Sequence, residues 1–119
     1  VPEERNLALE TLLTAQDRPT AVLVSDDILA MALEKTCAEL GISIPGDLSI
    51  ISFNNSLFAR LTYPPLTSMD INSFQLGIEA ASQMISHIET PDLMATKTIV
   101  PHHIVARESC KAVIGETCV

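Results

Sequence analysis

Basic residues are scarce in this sequence of 119 amino acids: seven Lys and Arg stand against fifteen Asp and Glu, a net charge of −8. Duplex DNA is bound by Lys and Arg that displace counterions from phosphate, so this segment is not itself a nucleic-acid reader. Long apolar runs are missing too, and nothing approaches the ~20 consecutive apolar residues of a membrane-spanning helix. Cysteine is limited to Cys37, Cys110 and Cys118, an odd number without C-x-x-C spacing. That pattern indicates neither a disulfide framework nor a zinc knuckle, and free thiols favour a cytoplasmic setting. The four glycines are scattered at 41, 46, 77 and 115, which leaves no P-loop and no G-x-G-x-x-G. A G-x-S-x-G nucleophile elbow is equally absent. Low-complexity runs are missing and charged residues amount to 18%, so the chain reads as folded rather than disordered.

What is present is a hydrophobic fraction of 47% over 119 residues, one domain or less by size. The chain begins at Val1 without an initiator Met or a basic stretch backed by an apolar run. No signal peptide is visible, and a fragment of a longer protein is expected. Residues 3–16 place Leu7, Ala8, Leu12 and Ala15 at helical spacing, with Glu3 and Glu4 in the first turn where the helix dipole favours them. Thr20–Val24 is a uniformly apolar, β-branched run that suits a parallel strand covered on both faces. A helix over Ile28–Leu40 closes at Gly41, and Leu48–Phe53 repeats the strand pattern. A short apolar stretch, Leu57–Leu61, precedes the rigid turn Tyr63-Pro64-Pro65, with a third strand expected over Leu66–Ile71.

Asn72 or Ser73 caps a long helix to about Glu89, with Phe74, Ile78, Ala81, Ile85 and Ile88 on one face and Gly77 there for close packing. Thr90-Pro91-Asp92 breaks it. Thr96–Val100 and His103–Val105 are the last strand candidates, and residues 108–119 read as a loosely held tail. Alternating strands and helices predict an α/β, doubly wound sheet. Ligands of such sheets sit at the carboxyl ends of strands, which here carry Ser25-Asp26-Asp27 and Asn54-Asn55.

Asp26 and Asn54 supply a carboxylate and an amide, the groups that hold a polyol by accepting from and donating to its hydroxyls. Helix capping accounts for Asp26 equally well, Asp27 fits capping better than binding, and Asn54 and Asn55 also suit an ordinary turn. His102 and His103 point to opposite sides of a strand and cannot chelate one ion. Asp26 and Asp27 diverge as neighbours and make a poor glycosidase pair. Cys37 reads as a small core residue. No catalytic constellation remains, so an enzyme is not expected. The helix over 28–40 is apolar around much of its circumference, and Leu57, Phe58 and Leu61 lie in a short connection. These side chains either meet a second subunit or lid the sheet.

The run from Pro19 to Ala81 resembles the lactose-repressor (LacI/GalR) family of bacterial transcription regulators. The features that carry it are Pro19-Thr20-Ala21, Asp27 before an Ala/Met/Leu helix, and Gly41-Ile42-x-Ile44-Pro45-x-Asp47-Leu48-Ser49-Ile50. Phe53-Asn54-Asn55, Pro64-Pro65-Leu66-Thr67-Ser68, Leu76-Gly77 and Val100-Pro101 with Ile104-Val105-x-Arg107-x-Ser109 follow in order, so the likeness covers roughly residues 7–109. It implies a periplasmic-binding-protein-like fold with a mostly parallel sheet. In that fold two α/β subdomains clamp a small ligand behind an N-terminal helix-turn-helix head. The chain would be the C-terminal subdomain, with 73–89 a crossover helix to the other subdomain. The DNA-binding head would lie outside this chain.

By position, the resemblance assigns effector contacts to Asp26, Asn54 and Ile71, and dimer contacts to Met31, Leu61 and Thr62. Two departures stand out. Ser52-Phe53-Asn54 replaces the usual Gly-aromatic-Asp, and Ser25-Asp26-Asp27 replaces the commoner Ala-Asn-Asp, as though a carboxylate had moved across the pocket. Ser68-Met69-Asp70-Ile71-Asn72 resembles the maltose-operon repressor branch. With only Phe53, Phe58, Phe74 and Tyr63 available, aromatic stacking on a sugar ring must come partly from outside this chain. The resemblance implies a cytoplasmic, homodimeric, sugar-responsive repressor that meets operator DNA through the head, with no cofactor, no metal and no membrane. The rival reading is a secreted sugar-binding protein of a transporter, which shares the fold.

Overall fold

A computed structural model describes residues 7–113. The elements run α1 (Leu7–Thr14), β1 (Ala21–Leu23), α2 (Asp27–Leu40), β2 (Ser49–Phe53), α3 (Leu57–Leu61), β3 (Thr67–Asp70), α4 (Ser73–Glu89) and β4 (His103–Val105). The four strands form one sheet in the order β1-β2-β3-β4, parallel across the first three and antiparallel at β4. This is the expected α/β arrangement with a mostly parallel sheet. Ladder register sets Val22 beside Ile50 and Ser52 beside Ser68, so these residues share one face.

Helix α2 shows why the sequence divides where it does. Asp26 has extended backbone and its carboxylate accepts from the Leu29 N–H, while Gly41 at φ 73° lets the last turn close with its N–H on Ala38 O and the Ile42 N–H on Cys37 O. Only a residue without a Cβ takes that left-handed position without strain. Between the caps, Ala30, Leu33 and Cys37 are buried and join Leu13, Leu48, Ile50, Ala59 and Leu66 in the core. Each fully buried Leu or Ile there contributes about 1.5–3 kcal/mol.

Several expectations need correction. Helix α1 is shorter than predicted, ending at Thr14, and Glu3 and Glu4 lie outside the described residues. The apolar run at β1 is covered on one face only: Val22 is half-buried, whereas Ala21 and Leu23 are exposed. A shallow depression of about 450 Å³ runs along that open face past Ala21, Ser49, Ile51 and Cys110. Leu57–Leu61 is a helix, and its Ala59 is buried. No strand forms over Thr96–Val100, which runs as irregular chain.

The tail is not loose where it begins. Ser109 is fully buried, its hydroxyl donating to Ile50 O at 2.5 Å and accepting from the Thr67 N–H at 2.8 Å. Residues 114–119 lie outside the described part.

The segment 71–102 leaves the sheet after β3 and returns into β4. Its helix α4 has no buried residue, although its apolar positions fall where the periodicity put them. Gly77 meets nothing within 4 Å of an added Cβ, so close packing at that glycine does not occur within residues 7–113. With this excursion the molecule extends 59 × 37 × 26 Å and its radius of gyration is 18.7 Å, against about 13–14 Å for a compact chain of this length.

Candidate functional site

The three parallel strands present their carboxyl ends side by side. Asp26 follows β1, Asn54 follows β2 and Ile71 follows β3, so the three predicted effector residues sit at adjacent strand ends, which lie about 4.8 Å apart per step in a sheet. Asp26 is half-buried, and one carboxylate oxygen is taken by the Leu29 N–H at 2.8 Å. The cap is therefore Asp26 and not Asp27, the reverse of the expectation for Asp27. Asn54 is exposed at φ 99°, its backbone N–H held by Met69 O at 2.9 Å. Among the described residues its side-chain amide makes no hydrogen bond, which leaves a donor pair and an acceptor turned to solvent. Ile71 is half-buried and adds an apolar surface.

Asp27 lies beneath this edge, 2% exposed. One oxygen accepts from Ser52 Oγ at 2.5 Å and Ser68 Oγ at 2.8 Å, the other from the Ser56 N–H at 2.6 Å and Ser56 Oγ at 2.7 Å. Burial alone would push this carboxyl up; the hydrogen bonds from Ser52, Ser56 and Ser68 outweigh it and hold Asp27 below the usual carboxylate range. With both oxygens committed, Asp27 supports the site rather than contacting a ligand. It pins the helix start to β2, β3 and the loop after β2. The signal in the sequence was Ser52 sharing a strand face with Ile50: a hydroxyl aimed into a core needs a buried acceptor.

A second group beside the strand ends was also missed. Arg107 donates to Leu66 O at 2.8 Å and to Asn55 Oδ1, while its own N–H is taken by Thr67 Oγ1 at 2.9 Å. Asn55, at φ 47°, is held by Arg107 and, from β3, by Ser68 Oγ, which accepts its N–H at 2.9 Å. Asn tolerates that region better than most residues, yet two in succession at positive φ cost about 1–3 kcal/mol each.

The predicted dimer residues lie on α2 and at the end of α3. Met31 on α2 and Leu61 at the end of α3 are exposed, and Thr62 is half-buried at the α3 C-cap, its hydroxyl directed to Ala59 O at 3.4 Å. Ile28, Leu29, Leu57 and Phe58 are exposed nearby on the same two helices, which pack together. His102 and His103 are both exposed.

Comparison with known proteins accords with this fold. The model of the periplasmic binding protein-like domain matches residues 1–110. The HTH-type transcriptional repressor PurR of Mannheimia succiniciproducens is 30% identical over 112 residues, 94% of this chain and 34% of that protein. A putative LacI transcriptional regulator from Bacillus cereus subsp. cytotoxis superposes with a TM-score of 0.85 at 35% identity, covering 89% of this chain and 38% of that one. A LacI family regulator from Enterococcus faecalis, solved with bound ribose, gives a TM-score of 0.79 at 29% identity over 87% of this chain and 38% of that chain. The chain thus spans about a third of the length of the repressor it matches, 34%. On sequence and fold together, the chain belongs to the periplasmic binding protein-like domain family and is similar within it to the effector-binding region of LacI-type transcriptional regulators.

Proposed function

We propose that the chain is the C-terminal part of the effector-binding domain of a sugar-responsive transcriptional repressor, in which helix 73–89 crosses to the other subdomain. The observation that carries the reading is the exposed, unbonded amide of Asn54 beside the half-buried carboxylate of Asp26 at two adjacent strand ends. Asp26 keeps one oxygen for a ligand hydroxyl while the other caps α2, and Ile71 lines the apolar side of the ring. The similar proteins are repressors and regulators, one of them solved with ribose, which favours this reading over a transporter component. The whole protein acts in the cytoplasm as a homodimer joined through Met31, Leu61 and Thr62, and reaches operator DNA through a head outside this chain.

The effector is maltose or a related sugar. It favours one closure of the two subdomains and changes the spacing of the paired heads, which it does only by binding the two states with different affinity.

Calorimetric titration of the full-length protein with maltose, glucose, lactose, ribose and a purine tests this. Saturable maltose binding, weakened about tenfold by Asn54→Ala through loss of one or two neutral hydrogen bonds, is the expected result. Binding of ribose without maltose discards the maltose assignment and keeps the sugar-responsive repressor. A purine bound in place of every sugar overturns the sugar reading, and an unchanged titration for Asn54→Ala removes Asn54 from the site.

A further inference from the structure

Asp70 joins three segments that are far apart in sequence. It ends β3, and both of its oxygens are taken: one accepts from Asn55 Nδ2 at 3.0 Å, the other from the Asn72 N–H at 2.8 Å. Asn55 belongs to the loop after β2, where its N–H also donates to Ser68 Oγ at 2.9 Å and its Oδ1 accepts from Arg107. Asn72 opens the outgoing arm of the excursion, and its side-chain amide donates to Pro101 O on the returning arm. Across the ladder Asp70 stands in register with His103, the first residue of β4. The Asn72 N–H, then the Asn55 amide, with His103 assisting, hold the Asp70 carboxyl below its ordinary range.

A carboxylate is one rigid plane with two acceptor oxygens, so a shift of the loop on one oxygen is carried to the outgoing arm on the other. Asn54, Asn55 and Asn72 all have positive φ, at 99°, 47° and 53°. Such backbones persist where neighbours over-determine them. We infer that Asp70 is a positioning residue: it fastens the loop Asn54–Asn55 to both arms of the excursion, so that a ligand settling on Asn54 moves the crossing to the second subdomain. The ligand half of this rests on the sugar-responsive reading above; the fastening itself does not.

The test is amide hydrogen exchange on the full-length protein, first without sugar. Asp70→Asn places a second amide against Asn55 Nδ2 and breaks that bond while leaving a carbonyl for Asn72. Exchange at Asn54, Asn55, Asn72 and His103 is expected to rise together about tenfold, with Ile50 and Ile51 unchanged, as for a local opening. Pairing Asn55→Asp with Asp70→Asn reverses the bond and keeps every partner. The carboxylate then accepts from Arg107 and from the amide at position 70, whose carbonyl still takes the Asn72 N–H. This exchange of side chains should return all four amides to within about twofold of wild type.

A rise confined to Asn72, or no recovery in the pair, overturns the inference. Addition of maltose then separates the two readings. In wild type it should slow exchange at Asn72 and His103 as well as at Asn54, and in Asp70→Asn at Asn54 alone. Protection reaching Asn72 and His103 in both proteins overturns the coupling. Maltose without effect on wild type counts against the maltose assignment, and the sugar-free arm still decides Asp70.

Discussion

Helices α2 and α4 are both amphipathic, and they end in opposite circumstances. The 14 residues of α2 bury Asp27, Ala30, Leu33, Glu34 and Cys37 against the sheet, whereas the 17 residues of α4 bury none. Phe74, Ile78, Met84, Ile85 and Ile88 remain exposed along the excursion. An apolar stripe at helical spacing therefore says that a helix needs a partner, not that the partner lies in the same stretch of chain. The sheet-and-core region is complete enough to satisfy α2. The excursion carries an apolar face that residues 7–113 leave uncovered, which is what the proposed crossover to a second subdomain would need.

The comparison can be broken most severely at Asp27. Asp27→Ala strands three Ser hydroxyls and the Ser56 N–H around a hole in the buried face. Its expected loss is about 3 kcal/mol or more, since each bond to a charged group is worth about 1.5–3 kcal/mol. The carboxyl lies below its ordinary value in the native state, so the native state binds fewer protons there than the unfolded chain. That stabilisation is present above the usual carboxylate value and fades as pH falls through the native one. Urea unfolding from pH 7 down to pH 3 should show wild type and Asp27→Ala converging as acid is added. A constant separation would mean that the site is held by packing alone.

A smaller effect is expected from the excursion. In the full-length protein Ile85→Asp should cost about 2–4 kcal/mol, as for a charge set into a covered apolar face. A thermal melt within ±0.5 kcal/mol of wild type, the usual range for surface positions, would show that α4 faces water and remove the contrast with α2.

Much of the fold was legible because its signals are local. The strand runs, the Gly41 stop and the helix over 73–89 lie within about two residues of where periodicity and capping put them. The strand-end position of Asp26 and Asn54 follows from the same alternation, whereas Ile71 entered the site through the family resemblance alone. What could not be read depends on pairs distant in sequence. Which of Asp26 and Asp27 caps α2 was decided by Ser52, Ser56 and Ser68, which draw Asp27 inward. The loop after β2 is held by Arg107, 52 residues away. The return segment 96–100 has β-branched residues but no neighbouring strand among the described residues, and propensity without pairing does not make a strand.

Glu34 sharpens the comparison by the smallest margin, because it is where the complete region resembles the incomplete one. It lies on the buried side of α2, 8% exposed, and its Oε1 has no hydrogen-bond partner among the described residues. Burial pushes its carboxyl up from 4.5 to about 7, and the same burial, with Glu34 adding, raises the Cys37 thiol against the opposing charge of Arg18. For a raised acid the native state holds its proton after the unfolded chain has released it. Stability therefore falls as pH rises from 4.5 to about 7 and stays lowered above that. Glu34→Gln removes the charge and keeps the shape, so at pH 8 it should stabilise by on the order of 2 kcal/mol and at pH 4 by close to nothing. Urea midpoints at the two pH values measure this directly. Equal midpoint shifts at both would show that Glu34 is not protonated with folding. In the full-length protein that result would point to a cation reaching Glu34 from beyond residues 7–113, and α2 would then, as proposed for α4, have a face finished by something outside those residues.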